Sequence, residues 1–86
     1  MPFIISWEKG FKKNQTLNTI GDFWDILPTF NEIAGIHASA KTDGISLVNT
    51  MKVNAKNRRK SLYWEFYEGG FKQAVISGNW KAIRSL

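Results

Sequence analysis

Cysteine is absent from the 86 residues, which excludes disulfides and thiolate metal sites and leaves the redox compartment open. Histidine occurs once, as His37 in an Ile-His-Ala-Ser stretch with no carboxylate at ligand spacing. A histidine-built metal site or a hydrolytic triad needs more partners than that. Long apolar runs are also missing, and none approaches the roughly 20 residues that cross a bilayer. The opening Met-Pro-Phe-Ile-Ile-Ser-Trp lacks a basic n-region and a small-residue cleavage site, so it does not read as a signal peptide. No internal repeat or low-complexity segment breaks the chain.

Acidic residues are scarce, seven against twelve Lys and Arg, for a net charge of +5. The excess is scattered along the chain, and only Asn57-Arg58-Arg59-Lys60 is dense. With Tyr63, Trp64, Phe66 and Tyr67 nearby, that run admits a small basic module that binds nucleic acid or a sulfated glycan. A solvated loop is the ordinary reading of such a run, and nucleic acid is the less expected partner. What is plentiful is apolar and aromatic surface: 43% of residues are hydrophobic, with four Trp, two Tyr and six Phe. Such a composition is globular, not disordered. A chain this short buries only about 60% of its unfolded surface, so a core of its own is marginal.

Phe3-Ile4-Ile5, followed by Ser6-Trp7, is a near-continuous apolar run that suits a strand covered on both faces. Glu8 to Asn18 is polar and lysine-rich, a surface loop. Between Asp22 and Ile36 the residues Phe23, Leu27, Phe30 and Ala34 recur at helical steps, widened by Ile26 and Ile33. Pro28 prevents one straight helix. The expectation is a tight turn over 23–27 and then a helix with Pro28 in its first turn and Gly35 as a left-handed cap. His37 to Thr42 reads as a connecting loop, Asp43-Gly44 as a turn, and Ile45 to Met51 as a loose helical turn. From Ser61 the period changes to strand alternation, with Leu62, Trp64 and Phe66 against Tyr63, Glu65 and Tyr67. Glu68-Gly69-Gly70 ends it. Phe71–Ser77 and Trp80–Arg84 flank Gly78-Asn79, a two-residue hairpin loop that pairs Ser77 with Trp80, Val75 with Ala82 and Ala74 with Ile83. Both faces of that hairpin carry apolar residues, so it calls for cover on both sides.

No constellation here carries out chemistry. Glu65 and Glu68, three apart on a strand, point to opposite faces and do not form an acid–base pair. Glu68-Gly69-Gly70 is not followed by the rest of any phosphate-binding loop. The residues alone support an α+β fragment without a catalytic centre.

Three stretches together resemble the formylglycine-dependent sulfatases, the arylsulfatase family. Pro2-Phe3-Ile4-Ile5-Ser6-Trp7 resembles that family's P-F-I-x-x-W strand. Phe23-Trp24-Asp25-Ile26-Leu27-Pro28-Thr29 through Ala34-Gly35-Ile36 is similar to its D-x-x-P-T helix, with Asp43-Gly44-Ile45-Ser46-Leu47 following at the usual distance. Leu62-Tyr63-Trp64-Glu65-Phe66, Lys72-Gln73-Ala74-Val75 and Gly78-Asn79-Trp80-Lys81-Ala82-Ile83-Arg84 resemble its L-Y-W-E-F … K-Q-A-V-x-x-G-x-W-K-A-x-R segment. Glu8 departs from the pattern, standing where a proline is usual, which bears on the shape of that loop.

The resemblance implies that residues 1–52 end an alkaline-phosphatase-like α/β domain, with one main-sheet strand and the Pro-Thr helix. Residues 53–86 would then start a small C-terminal antiparallel subdomain. It further implies a longer parent chain that cleaves sulfate esters, those of sulfated glycans among them, and is commonly exported. In that family the nucleophile is a formylglycine made from a C/S-x-P-x-R motif, and calcium neutralises the sulfate. Neither is expected in this chain, which has no such motif, so the isolated 86 residues are expected to be inactive. Glu65, Tyr67, Glu68 and Lys72, the polar residues nearest the Gly-Gly break, are the candidates for a substrate rim. The expected partner is the remainder of the sulfatase chain.

Overall fold

The computed structural model describes residues 2–37, 41–53, 59 and 61–85. Of the basic run only Arg59 falls among them; Arg58 and Lys60 lie outside the described residues.

A 3₁₀ turn, Phe23–Asp25, leads directly into helix α1, Ile26–Ile33. Asp22 starts it. Its carboxylate accepts the backbone N–H of Phe23 at 2.5 Å, and the Asp25 carboxylate accepts the Asp22 N–H at 2.9 Å, a reciprocal capping box. Pro28 is the third residue of α1, where its missing N–H breaks no helical bond, as the sequence led one to expect. The helix ends on Gly35 at φ 71°, with Ile36 N–H donating to Asn31 O at 2.8 Å and Gly35 N–H to Glu32 O at 3.1 Å. That is the paired 6→1 and 5→2 pattern a left-handed glycine permits. Helix α2, Val48–Val53, forms where a loose helical turn was expected.

Three expectations need correction. Phe3 to Trp7 forms no strand, because no described segment lies alongside to complete its hydrogen bonds; Phe3 is 56% and Ile4 92% exposed. The apolar stripe read over residues 22–36 marks the packed side only in part, through Ile26 and Ile33. Phe23, Leu27 and Phe30 are all more than half exposed, whereas Asp25 and Thr29 are fully buried. The inward side thus carries a hydrogen-bonded polar pair beside the half-buried Ile26 and Ile33. The 8–18 loop is also less superficial than its lysines suggest, for Phe11 is buried and meets Trp7 edge-on at 5.1 Å. Phe11, Val48 and Met51 make a small core, against which Ile5, Trp7, Leu17, Ile33 and Leu47 pack.

Three antiparallel strands follow in the order β1 (Ser61–Phe66), β2 (Lys72–Ser77), β3 (Trp80–Ser85). The hairpin register is the expected one, with Ser77 opposite Trp80, Val75 opposite Ala82 and Ala74 opposite Ile83. Gly78 has φ 58° and Asn79 does not share a positive φ, the pattern of a II′ turn, which suits the sheet twist. One face of the sheet aligns Leu62, Trp64, Ala74 and Ile76. Leu62 is buried, and Trp64 packs on Trp24 with ring centroids 5.9 Å apart, so this face is turned to the 3₁₀ turn. The far strand is uncovered: Trp80 is 83% and Ile83 65% exposed.

Candidate functional site

Two groups of polar side chains stand out, and they differ in kind. The first is buried. Asp25 has no solvent exposure, and its carboxylate accepts N–H bonds from Asp22 and Ile45, each at 2.9 Å. Arg59 completes the set with both terminal nitrogens, one of them 2.7 Å from Oδ2. Burial pushes the Asp25 pKa up, but the Arg59 guanidinium and the two backbone donors outweigh it and hold the carboxyl below its ordinary value. The same pairing raises Arg59. Thr29, one turn along α1, donates to Asp25 O at 2.6 Å and accepts the Leu47 N–H at 2.9 Å. Asp22 accepts the indole N–H of Trp64 from β1. These bonds tie α1, the 44–47 segment and the sheet into one body, and every Asp25 oxygen is engaged. The group is a structural anchor and does not fit a calcium ion, which needs six to eight open oxygen ligands. Among the described residues no three His, Cys, Asp or Glu side chains gather to hold a metal.

The second group lies in the open on the other face of the sheet. Strand alternation puts Tyr63 and Glu65 on that face, and the register brings Gln73 beside Glu65. Tyr63 Oη donates to Glu65 Oε1 at 2.6 Å, and Tyr67 Oη donates to Glu65 Oε2 at 2.7 Å. Gln73 Nε2 donates to Tyr63 Oη at 2.6 Å. The two hydroxyls hold the Glu65 pKa below its ordinary value, and the carboxylate in turn raises both tyrosines. Of the rim candidates, the structure brings Glu65 and Tyr67 together. Glu68 sits in the turn after β1, and Lys72 opens β2 opposite Phe66, on the Leu62 and Trp64 face. Tyr63 and Gln73 are members that sequence reasoning missed. Their signal was available in the two-residue spacing from Tyr63 to Glu65 and in the hairpin register, once β1 was paired to β2.

His37 lines an open cleft of about 410 Å³ with Pro28, Asn31, Glu32, Gly35, Ile36 and Thr42. The exposed Tyr–Glu–Gln array can accept and donate hydrogen bonds, but it holds no activated nucleophile.

Residues 1–84 match the family described as N-sulphoglucosamine sulphohydrolase, C-terminal. The chain is also 32% identical over 71 residues to an N-acetylglucosamine-6-O-sulfatase of Bacteroides thetaiotaomicron. That alignment takes in 79% of this chain and 13% of the relative, so the chain spans a small part of the relative's length. The match runs through the capped helix, the buried anchor and all three strands, and with it the chain belongs to the sulfatases, as a piece of their C-terminal region.

Proposed function

We propose that this chain supplies the C-terminal part of a sulfatase that removes sulfate from glucosamine-containing glycans, and that it has no turnover by itself. The single observation that carries the partial reading is the exposed apolar stripe that runs from the 3₁₀ turn into helix α1. Phe23, Leu27 and Phe30 face outward, while Asp25, Thr29 and Ile33 lie inward. An apolar stripe left uncovered by the described residues is the surface on which the remainder of the sulfatase docks. The uncovered Phe3 and Ile4 belong to the same requirement, with residues 1–52 completing the main domain and 53–86 opening the smaller one. Calcium and formylglycine belong to that remainder, since the buried Asp25 carboxylate is fully engaged and the sequence has no C/S-x-P-x-R motif. Glu65, Tyr67, Glu68 and Lys72, set about the turn between β1 and β2, form the contribution to the substrate rim. The substrate class rests on the names of the matched family and of the relative.

Exchange of segments tests this. The matched segment of the Bacteroides enzyme is replaced by the corresponding part of this chain, and release of sulfate from N-acetylglucosamine 6-O-sulfate is followed. Retained turnover supports the reading; a folded exchange protein without turnover contradicts it. The isolated chain should release nothing from a chromogenic aryl sulfate beyond a denatured control. The rival reading, a basic nucleic-acid module, loses one of its cations, because Arg59 is committed to Asp25 with its side chain 8% exposed.

A further inference from the structure

We infer that the outer face of the sheet around Glu65 is a saccharide-binding surface, taking a sugar ring through its hydroxyl or amide donors with an anionic substituent set beside Arg84. The inference rests on the sulfatase reading and says which face of this piece meets the glycan.

The register places Glu65, Gln73 and Arg84 side by side across β1, β2 and β3, with Tyr63, Val75 and Ala82 in the next row and Trp80 beyond. Four of these polar side chains come from three separate strands, so their alignment is a property of the fold and not of one segment. The charge of Arg84 is felt at Tyr63, where it works against the upward pull of Glu65.

Stability does not account for the array. Glu65, Tyr63 and Tyr67 are exposed, and ordering long side chains in water costs rotamer entropy that exposed polar contacts scarcely return. The same ordering is of use to a ligand, because the loss has been taken before it arrives. The donor and acceptor inventory then sets the ligand's chemistry. Both tyrosine protons are given to Glu65, and Gln73 Nε2 is given to Tyr63. What remains to face a ligand is mainly acceptors: spare carboxylate lone pairs, Tyr67 Oη and the Gln73 carbonyl. An acceptor-rich centre calls for a donor-rich ligand, as a polyol or an N-acyl sugar is. The flanking guanidinium supplies the one strong donor and calls for an anion. Tyr63, Tyr67 and Trp80, respectively 49%, 71% and 83% exposed, give flat amphipathic surface against which ring C–H groups can lie. A polyphosphate strand suits this face poorly, since the Glu65 carboxylate stands at its centre.

The test is an amide-resolved NMR titration of the 86-residue chain with N-acetylglucosamine 6-sulfate, with N-acetylglucosamine and inorganic sulfate as separate arms. Saturable shifts at Tyr63, Glu65, Tyr67, Gln73 and Arg84 are expected with the sulfated sugar. Glu65→Gln should weaken them by about tenfold, the value of one charge-assisted hydrogen bond. Gln73→Ala, as a second and exposed variant, should act in the same direction. Arg84→Ala should weaken the sulfated sugar more than the unsulfated one. An unchanged Trp64 indole signal certifies that each variant is folded. No response at these residues, a response in both Glu65→Gln and Gln73→Ala as strong as in wild type, or a response to inorganic sulfate that the sugar does not strengthen would each overturn the proposal. Turnover in the segment exchange without this binding removes the surface and leaves the sulfatase reading; binding without turnover does the reverse.

Discussion

Replacing Arg59 with methionine keeps the length and apolar stem of the side chain and removes its charge. Asp25 is then left fully buried with two backbone N–H donors but no countercharge. Breaking one partner of such a pair costs about 3–5 kcal/mol, much of it the desolvation of the charge left behind. Small domains hold only about 5–15 kcal/mol in total, and one of this size belongs near the lower end. Arg59→Met should therefore lower the urea midpoint severely, with loss of the Trp24–Trp64 contact read by tryptophan fluorescence. Asp25→Asn should cost a similar amount, because it strands the guanidinium instead. The double variant should be less unstable than the sum of the two by roughly 1–3 kcal/mol, the coupling expected of residues in direct contact.

The pH dependence has a definite sign. Asp25 binds its proton less readily in the folded chain than in the unfolded one, so its contribution is complete above the ordinary carboxylate value of 3.8 and is lost as pH falls through its depressed folded value. The difference in stability between wild type and Arg59→Met should thus be widest near neutrality and should shrink below about pH 4. A change in stability under about 1 kcal/mol, or a difference that stays constant down through that range, would refute the buried-pair reasoning.

Gly44→Ala should be unfolded or destabilised by about 1–3 kcal/mol or more, because a Cβ there would lie 1.9 Å from the carbonyl oxygen of Trp24, a backbone atom that cannot swing aside; a midpoint equal to wild type would show the loop to be loose. The two tyrosines of the chain both belong to the Glu65 array, so tyrosinate formation followed by ultraviolet absorbance reports it directly. In Glu65→Gln it should begin at lower pH than in wild type, and an unmoved curve would dissolve the array. Leu27→Gln and Phe30→Gln, on the exposed stripe, should change the isolated chain's stability by no more than about 0.5 kcal/mol. In the segment-exchange enzyme the same changes should abolish docking and turnover; full turnover there would mean that the stripe faces water in the whole protein.

Local signals were legible where local chemistry decides the outcome. Pro28 and Gly35 bracketed the helix because each restricts or frees a particular backbone angle, and Gly78-Asn79 set the hairpin register by turn type alone. The same periodicity that found α1 identified its inner side only through Ile26 and Ile33. An apolar stripe reports which side favours burial, not which side these residues alone can cover. Phe3 to Trp7 failed for the related reason that a strand is a property of a pair. Asp25 and Thr29 read as ordinary polar positions, since only the tertiary arrival of Ile45, Leu47 and Arg59 makes them a core. The Tyr63 and Gln73 members of the outer array became visible once β1 and β2 were in register.

The claim that this is one piece of a sulfatase is tested most directly by reading the coding sequence on both sides of these residues. An upstream, in-frame C/S-x-P-x-R motif together with Asp-rich segments able to bind calcium is expected. A start signal immediately before Met1 and a stop immediately after Leu86 would contradict it, and would leave the sheet face around Glu65 as a binding surface without an enzyme attached.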